Sequence, residues 1–219
     1  MKAAIFDMDG TLIDSLIFWN YLWRSMGEKF LKDPTFRPDE TTDRECRTVT
    51  LAHAMELVQD RYSVAKDAEE LTAYTQALLK KFYAEVVLPK PGAVEFLHYL
   101  KDKGVKMAVA TASDGALVDV AMKRCGLEGF FEGVFSCATV GKGKEHPDVF
   151  LMTLEQMGTT PEETWMFEDS YVALQTAKKI GMPTVGIFDA NNYGQDILKE
   201  NSDHYIAEGE QLTRLVGIL

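Results

Sequence analysis

The sequence predicts an α/β protein in which helices flank a parallel β-sheet and an all-helical segment is inserted after the first strand. Two patterns lead to this fold class. From Ala93 onwards, helical periodicity alternates with short apolar runs, which is typical of βαβ units and a parallel sheet. Between Ser15 and Leu88, apolar residues recur at helical spacing without an intervening strand pattern. The 219 residues suffice for such a core and a smaller inserted domain.

The first strand is predicted at residues 3–6, a short apolar run without helical periodicity. It leads into Asp7 and Asp9, and Gly10 gives the chain the freedom to turn there. Open α/β sheets bind ligands at the carboxyl ends of their strands. Two carboxylates at close range repel by about 4 kcal/mol in a surface-like dielectric, so a shared site calls for a cation. The alternative for a bare Asp-x-Asp is an acidic turn after an edge strand.

Three amphipathic helices are predicted in the inserted segment. The first carries an aromatic stripe that includes Trp19 and Trp23, and a proline-containing stretch at residues 33–38 ends it. The second and third cover residues 51–62 and 71–86. Their apolar stripes are expected to form the core of a small helical bundle.

Domain boundaries are predicted at both ends of the insertion. The pattern changes from strand to helix at Ser15, and residues 88–92, with two prolines and a glycine, are expected to form a hinge-like linker. The core domain should therefore consist of residues 1–14 and 89–219, and the helical domain of residues 15–88.

Five further strands are predicted in the core, at residues 105–110, 133–136, 164–167, 183–188 and 204–206. Helices are expected between strands and at the end of the chain, at residues 94–104, 117–126, 147–157, 174–181 and 212–219. Pro147 suits a first helical position, and capping-box spacing from Thr160 to Glu163 predicts a short helical turn.

Composition and charge exclude several classes of protein. Lysine plus arginine number 23 against 34 acidic residues, so the formal charge is −11 and no nucleic acid partner is expected. No apolar stretch approaches the length of a membrane span, and the first residues lack the pattern of an export signal. Cys46, Cys125 and Cys137 lack metal-ligand spacing and should be reduced, buried thiols. We expect a soluble cytoplasmic protein without a membrane partner.

Reactive side chains follow three of the predicted strands: Asp7 and Asp9, Thr111 and Ser113, Glu168 and Asp169. The carboxyl ends of parallel strands share one edge of a sheet, so these residues can meet around one ligand. Their four carboxylates offer hard oxygen donors with few other groups, which favours Mg²⁺.

Each of these features also has a structural interpretation. Paired acidic residues after a strand can form a solvated rim without binding anything. Thr111 can offer a hydroxyl to a phosphate, but it can equally be a helix N-cap, as can Ser113 or Asp114. We assign the phosphate contact to Thr111 and capping to the other two. Lys144 by itself would be a surface lysine.

The nine residues from Asp7 to Ser15, Asp-Met-Asp-Gly-Thr-Leu-Ile-Asp-Ser, closely resemble the first motif of the haloacid dehalogenase-like (HAD) superfamily. The similarity is to the branch of phosphoglycolate-phosphatase-like and β-phosphoglucomutase-like enzymes. It implies a Rossmann-like parallel-sheet core in which the helical insertion is a cap domain.

Three further motifs resemble this family and follow in its order: Thr111, Lys144 ahead of Pro147-Asp148, and Phe167-Glu168-Asp169-Ser170. The resemblance therefore extends over nearly the whole chain. Two positions depart from the family's pattern, because Glu145 replaces a usual proline and Ala173 a usual glycine.

The resemblance implies a mechanism for hydrolysis of a small phosphate monoester. Asp7 would attack phosphorus and form an aspartyl-phosphate. Asp9 would protonate the leaving oxygen and then activate the water that releases phosphate. Other members of the superfamily break carbon–halogen or carbon–phosphorus bonds and usually lack an aspartate at the position of Asp9, so its presence favours phosphoryl chemistry.

The resemblance also implies which residues bind the metal and the phosphate group. Mg²⁺ would be held by the side chains of Asp7 and Asp169 and the main-chain carbonyl of Asp9, with Glu168 as a further candidate ligand. Thr111 and Lys144 would bind the substrate phosphate.

Two other functions stay open. A β-phosphoglucomutase-like enzyme would return the phosphoryl group to a sugar, although the region around Arg37, Arg44 and Arg47 lacks a compact glycine-arginine motif. A non-catalytic binding module would be marked by loss of Asp7 or Asp9, and both are present. The expected partner is a small phosphorylated metabolite. The sequence leaves its identity and the oligomeric state open.

Overall fold

The computed structural model of the chain describes residues 1–47, 49–113 and 115–219. Two compact units are present: Met1–Leu16 together with Val87–Leu219, called here the α/β unit, and Ile17–Val86, called the helical unit. No helix in the described ranges is both long and apolar enough to cross a lipid bilayer.

The α/β unit is built on a six-stranded sheet whose neighbouring strands all pair in parallel. The strands are β1 (Ala3–Phe6), β2 (Lys106–Thr111), β3 (Val134–Ser136), β4 (Thr164–Glu168), β5 (Thr184–Ile187) and β6 (His204–Ile206). Their order across the sheet is β3-β2-β1-β4-β5-β6. The predicted α/β fold is therefore confirmed.

Strand β1 lies at the point where the strand order reverses. Phe6, its last residue, pairs with Val109 of β2 on one side and with Phe167 of β4 on the other. From β1 the chain continues to β2 and β3 on one side of the sheet, and from β4 it continues to β5 and β6 on the other. Such a switch point is where open α/β sheets bind ligands.

Successive side chains of the strands point to opposite faces of the sheet, and both faces are buried. Ile5 and Met166 belong to a buried cluster with Phe150. Phe6 and Phe167 are on the opposite face, where their rings stack with centroids 4.3 Å apart. All four residues of β1 are fully buried, which is why its sequence is a continuous apolar run.

In the described residues of the helical unit the α-helices are α1 (Phe18–Met26), α2 (Glu40–Cys46), α3 (Leu51–Tyr62) and α4 (Ala68–Glu85). A π-helical turn, Gly27–Leu31, continues α1. Helix α2 was missing from the prediction, because Cys46 is its only apolar residue and no periodicity marks it. It begins where the Asp39 carboxylate accepts the Thr42 N–H at 3.0 Å.

A buried polar cluster lies within the helical unit. The indole N–H of Trp23 donates to Asp43 at 2.6 Å, and Arg47 pairs with the same carboxylate at 2.9 Å. Trp23 is fully buried, and the Arg47 guanidinium lies 5.4 Å from the ring of Trp19. Asp43 therefore joins α2 to α1 through one carboxylate.

The helices of the α/β unit are α5 (Ala93–Asp102), α6 (Gly115–Arg124), α7 (Cys137–Val140), α8 (Asp148–Met157), α9 (Tyr171–Lys179) and α10 (Gln195–Asn201). Short 3₁₀ turns cover Pro161–Glu163 and Leu212–Leu215, so the predicted closing helix is only one turn long. Pro147 is the N-cap of α8 rather than its first residue. The Thr160 side chain makes no cap hydrogen bond, and α10 was not predicted.

The two segments that lead to and from the helical unit pair with each other inside the α/β unit. The Asp14 N–H donates to the Leu88 carbonyl, and the Lys90 N–H donates to the Leu12 carbonyl, both at 2.9 Å. Lys90 is thereby held beside Leu12. Leu12 follows shortly after Asp7 and Asp9 in the sequence.

Candidate active site

The structure brings the residues predicted for the site to the carboxyl edge of the sheet. Asp7 directly follows β1, and Thr111 is the last residue of β2. Glu168 is the last residue of β4, and Asp169 follows it. Lys144 comes from the segment between α7 and α8 and reaches the same edge through its side chain.

Three carboxylates form a compact buried cluster. Asp7, Glu168 and Asp169 are 6%, 1% and 2% exposed. One carboxylate oxygen from each lies within 4.8 Å of the other two. The carboxylate of Asp9 is not part of this group.

Lys144 pairs with two members of the cluster. Its ammonium donates hydrogen bonds to Asp7 and, at 2.8 Å, to Glu168. Burial works to lower the pKa of Lys144, but the charges of Asp7 and Glu168 outweigh it and hold that pKa above its ordinary value. Lys144 therefore stays charged at neutral pH.

Negative charge in the cluster is only partly balanced. Burial raises the pKa of Asp7 to about 8, with the Lys144 ammonium opposing the rise and the Glu168 and Asp9 carboxylates adding to it. Burial also raises the pKa of Asp169 well above its ordinary value, and Glu168 and Asp7 add to that rise. Ionisation of all three carboxylates therefore needs more positive charge than one ammonium supplies.

The donor set fits a divalent cation such as Mg²⁺. Its atoms are carboxylate oxygens, the hard ligands that Mg²⁺ prefers, and they converge from two neighbouring strands. Gly10 makes room for this arrangement, because it has φ +87° and a Cβ there would collide with the Asp169 carboxylate.

Asp169 is held by two residues that the sequence analysis did not identify. The Thr11 hydroxyl donates to its Oδ1 at 3.1 Å, and the Asn192 amide donates to its Oδ2 at 2.6 Å. Thr11 lies within the first motif, but Asn192 sits in a polar loop after β5 where asparagine ordinarily indicates a turn. No local signal in the sequence connects Asn192 to Asp169.

The Asp9 carboxylate accepts hydrogen bonds from two serine hydroxyl groups. The Ser15 hydroxyl donates to its Oδ1 and the Ser113 hydroxyl to its Oδ2, both at 2.7 Å. Ser113 was expected to be a helix cap, and its hydrogen bond to Asp9 was not foreseen. Asp114, the other candidate cap, lies outside the described residues.

Thr111 is buried and lies near Ser113 in the sequence, one of the residues that contact Asp9. Its Oγ1 accepts the main-chain N–H of Ser113 at 3.0 Å, which shapes the turn after β2. The hydroxyl proton of Thr111 is not used in that bond, so the side chain can still donate to a phosphate oxygen.

Comparisons with known proteins show which proteins this chain is similar to. The family model described as haloacid dehalogenase-like hydrolase matches residues 1–181. A phosphorylated carbohydrates phosphatase of Thermotoga maritima is 26% identical over the full length of both chains. A β-phosphoglucomutase of Bacillus subtilis is 26% identical, covering 85% of this chain and 83% of its own. A crystal structure from Thermotoga maritima, solved as a candidate β-phosphoglucomutase, is 26% identical with full coverage and a TM-score of 0.82.

Proposed function

The chain belongs to the haloacid dehalogenase-like hydrolases, and from this premise we propose that it is a Mg²⁺-dependent phosphatase that hydrolyses a small phosphate monoester through an aspartyl-phosphate. One observation carries the proposal. Asp7 lies in a buried group with Glu168, Asp169 and Lys144, at the switch point of a parallel sheet. This combination provides a carboxylate nucleophile, a metal-binding donor set and a cation for a phosphate group.

Asp7 is the proposed nucleophile. A carboxylate oxygen of Asp7 attacks the phosphorus of the monoester, the bond from phosphorus to the ester oxygen breaks, and an aspartyl-phosphate forms. The attack requires the ionised form of Asp7. The Lys144 ammonium favours that form, and this explains why a basic residue contacts the nucleophile directly.

Asp9 is the proposed general acid and base. It gives a proton to the leaving ester oxygen and then takes a proton from the water that attacks the aspartyl-phosphate. Its carboxylate accepts hydrogen bonds from two hydroxyl groups, whereas the carboxylate of Asp7 pairs with the Lys144 ammonium. This difference in partners supports a division of roles between Asp7 and Asp9.

The metal ion and the substrate phosphate would be held by different residues of the site. When bound, Mg²⁺ would neutralise charge on the phosphate oxygens and on the carboxylates that hold it. Asp7 and Asp169 would hold the ion, with the main-chain carbonyl of Asp9, and Glu168 is a further candidate. Thr111 and Lys144 would bind the phosphate group.

We assign the choice of substrate to the helical unit and the chemistry to the α/β unit, as the cap-domain resemblance implies. The named relatives support a phosphorylated sugar as the first substrate class to test, since two of them are a phosphorylated carbohydrates phosphatase and a β-phosphoglucomutase.

A phosphomutase is the second candidate, favoured by the similarity to the Bacillus subtilis β-phosphoglucomutase. Both candidates form the same aspartyl-phosphate. They differ in the acceptor, which is water in the phosphatase and a sugar hydroxyl in the phosphomutase.

The test is a panel of phosphate monoesters incubated with the protein and Mg²⁺, followed by measurement of released phosphate and of phosphorylated products. We expect free phosphate to form in step with loss of substrate, and Asp7→Asn to release none. Isomerised sugar phosphate without free phosphate would favour the mutase. No turnover of any monoester, with the fold intact, would contradict both enzymes.

A further inference from the structure

The segment after β5 contacts Asp169 through the side chains of Asn192 and Gln195. The Asn192 amide donates to Asp169 Oδ2 at 2.6 Å and to its main-chain oxygen at 3.3 Å. Gln195 also donates to that main-chain oxygen at 3.3 Å. Asn192 therefore contacts the Asp169 carboxylate itself, whereas Gln195 contacts the main-chain oxygen.

A buried ion pair organises the same loop. Asp189 is 1% exposed, and the Lys90 ammonium donates to its Oδ2 at 2.6 Å. The other oxygen of Asp189 accepts the Asn191 N–H at 2.7 Å, and the main-chain oxygen accepts the Asn192 N–H at 3.1 Å. Asp189 thus fixes the backbone on which Asn192 is carried.

Lys90 also contacts the segment that carries Thr11, the second residue that holds the Asp169 carboxylate. Its N–H donates to the Leu12 carbonyl, and Leu12 follows Thr11, whose hydroxyl donates to Asp169 Oδ1. Both oxygens of the Asp169 carboxylate are therefore held, one by Thr11 and one by Asn192. Each oxygen has a second lone pair left for a metal ion.

We propose that Asn192 is a positioning residue that orients the Asp169 carboxylate toward the metal ion, and that the Lys90–Asp189 ion pair holds Asn192 in place. The inference rests on the proposed function, because Asp169 must be a metal ligand for its orientation to matter. Hydrogen-bonding partners behind metal ligands fix ligand orientation, and their loss typically weakens metal binding about 10- to 100-fold.

The test is calorimetric titration of Mg²⁺ into the metal-free full-length protein. Asn192→Ala is expected to weaken Mg²⁺ binding about 10- to 100-fold, because the carboxylate loses the donor on Oδ2. Asn192→Leu is a second variant of similar volume, so the two changes share only the lost amide. Asn201→Ala is the matched control, since Asn201 donates to the main-chain oxygen of Ile197 instead of to a carboxylate.

The ion pair is tested with Lys90→Met. This variant should weaken Mg²⁺ binding, and adding it to Asn192→Ala should weaken binding by less than the product of the two separate effects, because both act on one contact. Lys178→Met is its control, because Lys178 pairs with Asp203 at 3.1 Å on the half-exposed surface. Mg²⁺ affinity unchanged in both Asn192 variants overturns the inference, and so does full additivity with Lys90→Met.

Asp169→Asn separates this inference from the proposed function. If Asp169→Asn abolishes Mg²⁺ binding while the Asn192 variants bind normally, only the positioning role fails. If Asp169→Asn binds Mg²⁺ like the unmodified protein, the metal site of the proposed function fails and the positioning role fails with it.

Discussion

The Lys144 ammonium donates a hydrogen bond to the Asp7 carboxylate, joining residues 137 positions apart in the chain. Asp7 is placed by the central strand, whereas Lys144 comes from the irregular segment before α8. The same ammonium contacts Glu168, so one positive charge serves two buried carboxylates. Removing it should therefore affect both the reactivity of Asp7 and the charge balance of the whole cluster.

Lys144→Met should lower the turnover of phosphate monoesters by about 10²- to 10³-fold, the usual cost of losing one donor to developing negative charge. Lys144→Arg keeps the charge and should retain more activity than Lys144→Met. Lys142→Met is the matched control, because Lys142 is two residues away but pairs with Asp148 on the half-exposed surface. Steady-state phosphate release measures all three. Equal losses in Lys144→Met and Lys142→Met would contradict a direct role for Lys144.

Removal of divalent metal should abolish phosphate release. The physical reason is that three buried carboxylates lie within 4.8 Å and one ammonium balances them only in part. Treatment with a chelator followed by dialysis should give an inactive protein, and added Mg²⁺ should restore phosphate release. Full activity in a preparation shown by elemental analysis to be metal-free would contradict the proposal.

The metal-free protein should lose stability as the pH rises. Burial raises the pKa of Asp7 from 3.8 to about 8 and also raises that of Asp169. A carboxyl group with a higher pKa in the folded state stabilises the fold while protonated, and that contribution disappears as the pH increases from the unfolded to the folded pKa. The melting temperature of the metal-free protein should therefore fall between about pH 5 and pH 8.

Mg²⁺ should flatten this pH dependence, because a cation stabilises the ionised carboxylates. Asp7→Asn removes one titrating group and should reduce the slope in the metal-free protein. Scanning calorimetry at a series of pH values with and without Mg²⁺ provides the measurement. A melting temperature that increases over this pH range without metal would show that the sign is wrong.

The sequence was most informative where one local pattern decides the structure. The apolar run before Asp7 predicts β1 because a central parallel strand is buried on both faces, and the structure confirms its position. The polar helix α2 was missed because its stability comes from a cap at Asp39 and from contacts of Asp43 with Trp23 and Arg47.

Contacts between distant segments explain what the sequence analysis missed at the site. The residues that directly follow strands were identified, since a parallel sheet places the carboxyl ends of its strands along one edge. Asn192 and the Lys90–Asp189 pair were not identified. Each of these contacts joins segments that are distant in the sequence and come together only in the folded chain. Asp189 and Lys90 are common residue types, and no sequence motif marks their positions.

Asp43→Ala should destabilise the helical unit strongly. The substitution removes the carboxylate that pairs with the Arg47 guanidinium and accepts the Trp23 indole N–H, and both side chains of the ion pair are only 10% exposed. Removing one partner of a buried pair costs about 3–5 kcal/mol, against about 0–1 kcal/mol at the surface. Glu28→Ala is the control, since Glu28 pairs with Arg24 in an exposed pair. Equal free energies of unfolding for the two variants in urea would contradict the buried role of Asp43.

Asp7→Asn and Asp9→Asn should fail at different steps, because only Asp7 must form a bond to phosphorus. Asp7→Asn lacks the carboxylate nucleophile and should form no phosphoenzyme with any ester. Asp9→Asn keeps its main-chain carbonyl but cannot transfer a proton, and loss of general acid–base assistance typically lowers turnover about 10²- to 10⁴-fold. Turnover of alkyl phosphates should fall by about that factor in Asp9→Asn.

An aryl phosphate distinguishes the two steps, since its leaving group needs little protonation while the second step still needs a base to activate water. In Asp9→Asn, an aryl phosphate should therefore form the aspartyl-phosphate faster than water hydrolyses it. Rapid acid quenching followed by mass spectrometry should detect added phosphate in Asp9→Asn and none in Asp7→Asn. Ser113→Ala is a useful comparison, because it removes one hydroxyl donor from Asp9 but leaves the carboxylate that transfers the proton. Equal losses in both aspartate variants, with no phosphorylated protein trapped in either, would mean that Asp9 does not act in the second step and that the two-step mechanism is wrong.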